Sequence, residues 1–107
     1  MTQNNPDGSN TDTQEVEVYS RQINAWIVRT PGRQFPALVV QGDSFHQLFV
    51  YAQSVYERTR NSADRELRDD AERLRDILWN RLRHYEDTLH AAGFTLPYTR
   101  TAWKPKE

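Results

Sequence analysis

Polar and apolar residues alternate over residues 15–20, Glu-Val-Glu-Val-Tyr-Ser, which puts Val16 and Val18 on one face of a strand. After a polar turn at Arg21 and Gln22, residues 24–30 form a second run rich in strand formers. The short separation predicts an antiparallel hairpin. Pro31 and Gly32 break the chain, and Pro36 precedes a third strand over residues 37–41 that is nearly continuous in apolar residues. The period then changes from two to between three and four. Phe45, Leu48, Phe49, Ala52, Val55, Tyr56 and Thr59 define one broad stripe on a helix over residues 45–60. Ser44, with Gln47 three residues on, has the spacing of a capping box for its start.

A longer helix is predicted over residues 63–92, with a buried line of Leu67, Ala71, Leu74, Leu78, Leu82, Tyr85, Leu89 and Ala92. Its other faces are dense in Arg, Asp and Glu, including Arg68 with Glu72 and Asp69 with Arg73 at i, i+4, where ion pairs add only about 0.2–0.5 kcal/mol each. Gly93 is placed to end it in the left-handed conformation, with Phe94 just beyond, and Pro97 prevents resumption. Helices that follow strands, in the order β-β-β-α-α, give an α+β domain with a three-stranded antiparallel sheet. The first helix is expected to cover one sheet face. The long helix then needs a partner of its own, either the first helix or a second copy of the chain.

Composition trims this picture at both ends. Residues 1–14 have no aliphatic residue after Met1 and are rich in Asn, Thr, Asp, Gln and Ser. Such a segment buries too little apolar surface to offset its ordering entropy and is expected to be a disordered tail. The folded domain is expected over residues 15–98 and a second tail over 99–107, where Trp103 has the option of docking. The chain has 107 residues, no cysteine, 14 basic and 15 acidic residues. Thiolate metal sites and disulfides are thereby excluded. A near-neutral balance disfavours nucleic-acid binding through a basic surface, and no apolar run reaches the ~18 residues of a membrane helix. A cytoplasmic location, without membrane association, fits.

The chemistry-bearing residues do not assemble into a catalytic pattern, so no enzyme activity, cofactor or metal is expected. Glu86 and His90 sit at i, i+4, but two ligands do not make a site, and a surface ion pair is the simpler reading. Asp43 and Ser44 have the chemistry of a helix start. Binding residues are easier to name. Trp26 lies in a strand where Ile27 points the other way, and Trp79 falls beside Ile77, off the main apolar line of the long helix. Large aromatics at a surface often mark interfaces. Arg29 and Arg33 flank the Pro31–Gly32 turn and could hold carboxylates or phosphates bidentately. The candidate partner-binding residues are therefore Trp26, Arg29, Arg33, Ile77 and Trp79.

Two resemblances sharpen the reading. Residues 35–44, Phe-Pro-Ala-Leu-Val-Val-Gln-Gly-Asp-Ser, followed by an amphipathic helix, resemble the strand-to-helix segment of the β-β-β-α unit of HicB-type antitoxins, over residues 16–60. Residues 15–98 as a whole resemble an uncharacterised family of small bacterial proteins. That pattern combines Arg33-x-Phe35-Pro36, residues 41–44, residues 82–86 (Leu-Arg-His-Tyr-Glu) and Gly93-x-x-Leu96-Pro97-Tyr98. The family resemblance implies a small bacterial accessory protein. The small size, the lack of catalytic groups and the HicB-like half together lead to the expectation of an immunity or antitoxin role, neutralising a cognate toxin by direct binding and steric occlusion. The alternative is a self-associating structural or regulatory module without a toxin partner. The apolar line of the long helix is expected to form a homodimer with the long helices paired, or else to be the toxin site of a monomer.

Overall fold

The computed structural model of the protein describes residues 2–4 and 10–99. Trp103 and the rest of the expected C-terminal tail after Thr99 lie outside them. Strands β1 (Thr2–Asn4) and β2 (Asn10–Asp12) pair as a separate antiparallel ribbon, which the polar composition of this segment did not signal. The main sheet has the order β3 (Glu17–Ser20), β4 (Ala25–Arg29), β5 (Ala37–Val40), all antiparallel. Helices α1 (Gly42–Thr59) and α2 (Arg65–Ala91) follow. The domain is thus α+β, a three-stranded antiparallel sheet followed by two helices of which the second is long.

Each turn is written in its residues. Arg33 N donates to Thr30 O at 3.2 Å, with Pro31 and Gly32 at the centre and Gly32 at φ 77°, the positive value that a type II turn requires at this position. The β3–β4 connection instead places Ile23 at φ 52°, where a β-branched side chain is strained. α2 starts on Asp64, whose carboxylate accepts from Leu67 N at 3.1 Å. It ends as expected on Gly93, at φ 80°. Phe94 N donates to Leu89 O and Gly93 N to His90 O, the paired bonds of a Schellman motif.

The core lies between the helices. Phe49 and Leu82 are fully buried and Trp79 nearly so, with Phe45, Leu78, Tyr85 and Tyr98 packed around them. Burying each of the two larger aliphatic or aromatic side chains contributes about 1.5–3 kcal/mol. Phe49 and Trp79 meet with ring centroids 5.3 Å apart. The contacts of α1 run along α2, not across the sheet as the sequence had suggested. From the sheet, only Val28 is buried. The radius of gyration is 17.0 Å, against about 13 Å for a compact chain of this length, in keeping with the 27 residues of α2, about 40 Å from end to end.

Three expectations need correction. The buried line of α2 is Ala71, Arg75, Trp79, Leu82 and Glu86, while Leu67 and Leu74 face solvent. Trp79 is a core residue, 4 % exposed, and is not available to a partner. Ser44 does not cap α1: the helix starts earlier, with Gln41 at the cap position and no side-chain cap bond. Ser44 Oγ instead accepts from Asn24 Nδ2 at 3.0 Å, tying the β3–β4 turn to the helix start, while Asp43 Oδ1 takes the amide of Ser44 at 2.8 Å.

Gly42 sits where α1 meets the far end of α2. A Cβ built there would lie 2.1 Å from Tyr85 Cζ. Alanine at a helix position is otherwise favoured over glycine by about 1 kcal/mol, whereas overpacking costs about 1–3 kcal/mol. Gly42→Ala is therefore expected to lower the Tm in the native background and to raise it, or leave it unchanged, in a Tyr85→Ala background. Thermal unfolding of the four proteins of this cycle reads the change of sign directly. Equal effects in both backgrounds would mean that the ring does not fill this space.

Candidate functional site

Two surfaces and one buried cluster collect the residues with distinctive chemistry. The cluster joins α1, α2 and the C-terminal segment. Glu86 is 3 % exposed and accepts a hydrogen bond from Tyr98 Oη at 2.9 Å. The Tyr98 ring stacks on His46 of α1, centroids 3.9 Å apart and planes 12° from parallel. The Gln-Gly-Asp-Ser, His-Tyr-Glu and Leu-Pro-Tyr stretches thus converge, with Gly42 against Tyr85 and Glu86 against Tyr98. Glu86 is not a surface partner of His90, as the i, i+4 spacing had suggested; it is enclosed and holds the end of the chain. A second polar group is buried nearby along the same line. The Arg75 guanidinium lies 3.8 Å from the centroid of Tyr56 and pairs with Asp76 at 2.9 Å. Burial opposes its charge, but the bonds to Asp76 and Tyr56 outweigh this and hold its pKa above the ordinary arginine value.

The first surface is the sheet. Cross-strand partners share a face, so Trp26 with Val39, and Val18 and Ala37 with Val28, form one side. Ile27 with Leu38, Ala25 with Val40, and Arg29 with Glu17 form the other. Both sides show apolar surface: Trp26 is 44 % exposed, Val39 43 % and Leu38 61 %. Arg21 lies over the Trp26 ring, 5.5 Å from its centroid. β5 is moreover an edge strand without a charged residue, the kind of edge that other strands pair with.

The two loop arginines part company. Arg33 is exposed beside the turn. Arg29 is engaged with Glu17, its directly opposed neighbour on β3, whose other carboxylate oxygen accepts from Tyr19 Oη at 2.8 Å. The hydrogen bond from Arg29, then that from Tyr19, hold the Glu17 carboxyl below its usual pKa. A lowered acid pKa contributes stability that is present above the unfolded value and is lost as the pH falls through the folded one, so this link is intact at neutral pH. A bidentate anion grip by Arg29 and Arg33 would have to displace Glu17.

The second surface is the outer side of the hairpin. Leu48, Tyr51 and Val55 of α1 are exposed, and so are Leu67, Leu74 and Ile77 of α2, the last at 42 %. Of the five partner-binding candidates, Trp26, Arg33 and Ile77 are accessible, Arg29 is half-buried and paired, and Trp79 is enclosed. Trp26 and Ile77 belong to different surfaces. Among the described residues, no cluster of three metal-ligating side chains occurs, and no helix is long and apolar enough to cross a membrane.

The geometry defines a small α+β protein whose accessible features are apolar faces, with its distinctive polar groups turned inward. The chain belongs to the family of unknown function DUF6959, whose family model matches residues 11–98. No match occurs among the curated proteins or among the solved structures.

The buried carboxylate gives the site its energetic test. Tyr98→Phe keeps the stacked ring and removes the donor to Glu86. It is expected to cost about 1–3 kcal/mol, the penalty for weakening the satisfaction of a buried acceptor. Urea denaturation followed by circular dichroism measures it; an unchanged midpoint would place the Tyr98 hydroxyl in solvent.

Proposed function

We propose that this chain is a non-catalytic binding protein that takes a protein partner on the Trp26–Val39 side of its sheet, and that in its finer form it neutralises a cognate toxin by covering the toxin's working surface. The observation that carries this reading is the open sheet. Trp26 and Val39 are directly opposed and about equally exposed, at 44 % and 43 %, next to the buried Val28 on the same side. Adjacent exposed aromatic and aliphatic side chains on rigid strands are the material of an interface centre. Arg21 over the indole supplies a polar rim. The β-β-β-α order over the first part of the domain, similar to HicB-type antitoxins, supports the toxin-neutralising form, and a cytoplasmic location belongs to the same proposal. A second reading, a regulatory module whose partner is another copy, draws on the exposed Leu74 and Ile77 of α2.

The test starts from the genes beside this one. Each neighbour is expressed alone in a bacterial host and scored for growth arrest, then co-expressed with the native chain, Trp26→Ala, Val39→Glu or Leu38→Glu. Relief by the native chain and by Leu38→Glu, with loss of relief in the two variants of the Trp26 side, is the expected result. A toxic neighbour that none of the four relieves would overturn the toxin-neutralising form. Equal relief by all four would move the interface off this side of the sheet.

A further inference from the structure

The outer stripe of α2 has a pattern of its own. Leu67, Asp70, Leu74, Ile77, Arg81, His84 and Thr88 follow one another at alternating spacings of three and four, and all are exposed. This is a second heptad seam, turned away from the seam of Ala71, Arg75, Trp79, Leu82 and Glu86 that packs on α1. We infer that this seam, with the exposed stripe of α1 beside it, is the interface of a homodimer in which α2 pairs antiparallel with α2 of a second copy, Leu74 against Ile77.

The two apolar stripes form one surface. On α1 the line facing α2 is Phe45, Phe49, Ala52 and Tyr56; Leu48, Tyr51 and Val55 lie about 90–150° round the helix from it. On α2 the outer seam lies a similar ~80–160° from the inner one, in the same rotational sense. The helices of the hairpin run antiparallel, as the contacts of Gly42 with Tyr85, Phe49 with Trp79 and Tyr56 with Arg75 require. In antiparallel helices, equal rotations in the same sense lead to the same side of the pair. Leu48, Tyr51 and Val55 therefore lie on the same flank as Leu67, Leu74 and Ile77.

Charge selects the occupant and its direction. In an antiparallel pair centred between Arg75 and Asp76, Leu74 lies opposite Ile77 of the second copy, Asp70 opposite Arg81, and Leu67 opposite His84. A parallel pair would instead set Asp70 against Asp70 and Arg81 against Arg81. The seam is thus complementary to itself only when reversed, as a two-fold interface demands. Among the described residues neither charge is spent on an ion pair: Arg81 donates to the Ile77 carbonyl of its own helix, and Asp70 has no salt bridge. The same two-fold axis serves α1. Tyr51 and Val55 lie level with Leu74 and Ile77 across the hairpin, so they meet their own counterparts at the same height. The seam from Leu67 to Thr88 is about 32 Å long and the hairpin about 20 Å wide, a footprint near the ~800 Å² per partner of a stable interface.

The inference concerns the helical flank and holds whether the sheet binds a toxin or nothing. Its test reads oligomeric state and is independent of toxin rescue. Sedimentation velocity of the full chain at micromolar concentration is expected to show a dimer, and Ile77→Glu a folded monomer. Asp70→Arg and Arg81→Asp are each expected to weaken the dimer about tenfold, since two pairs per dimer turn repulsive. The double variant D70R/R81D should recover native affinity. A native chain that stays monomeric overturns the proposal. So does a dimer indifferent to Ile77→Glu, or a double variant no tighter than the singles. Circular dichroism of each variant separates a lost interface from a lost fold.

Discussion

Phe49 against Trp79 and Leu82 is the contact on which the structure rests. A two-helix hairpin has only one internal face, and here these three side chains fill its middle with almost no exposure. Phe45, Leu78, Tyr85 and Tyr98 close over them. The sheet adds Val28 and little else to the interior. Its strands are held by their own ladders and by the Asn24–Ser44 hydrogen bond at the corner where β4 begins. Stability is therefore concentrated in the hairpin, and the sheet is left with apolar residues on both sides. That imbalance leaves Trp26, Val39 and Leu38 of the sheet accessible instead of closing them into half of a core.

The hairpin uses polar groups where a simpler pair would use leucines. Arg75 and Glu86 occupy core positions of α2, each matched to an aromatic partner far away in sequence, Tyr56 and Tyr98. Polar groups buried in this way contribute little net stability but leave fewer acceptable alternatives, because sliding α1 along α2 by one turn would part Arg75 from Tyr56 and the Glu86-bound Tyr98 ring from His46. Gly42 has the same effect by volume, since only the absence of a side chain lets Tyr85 approach the start of α1. Together they fix the register of α1 on α2, and hence which residues are left on the outer flank.

The order of elements was legible in the sequence, as were the Pro31–Gly32 turn, the glycine stop at Gly93 and the opposite directions of Trp26 and Ile27. Periodicity of two and of three to four is a local property, and these features are local. The buried line of α2 was not legible in the same way. α2 carries two adjacent seams, and a one-dimensional pattern merges Leu67 and Leu74 of the outer one with Ala71 and Leu82 of the inner one. What separates them is Arg75 and Glu86, polar residues whose burial depends on Tyr56 and Tyr98. Ser44 failed as a cap for a similar reason: its partner, Asn24, is twenty residues away. Of the candidate residues, Trp26 and Ile77 are accessible, as their positions off the main apolar lines suggested, whereas Trp79 shares that placement in the pattern and is core.

The claim that stability resides in the hairpin, with the sheet attached to it, is open to one direct measurement. Native-state amide hydrogen exchange assigns an opening free energy to each backbone N–H. Amides of residues 49–56 and 75–86 are expected to exchange only through global unfolding. Those of β3, β4 and β5 should exchange faster by about a hundredfold or more, through an opening of the sheet that leaves the helices intact. Equal protection in strands and helices, falling together with denaturant, would contradict the account and make the sheet an integral half of the core.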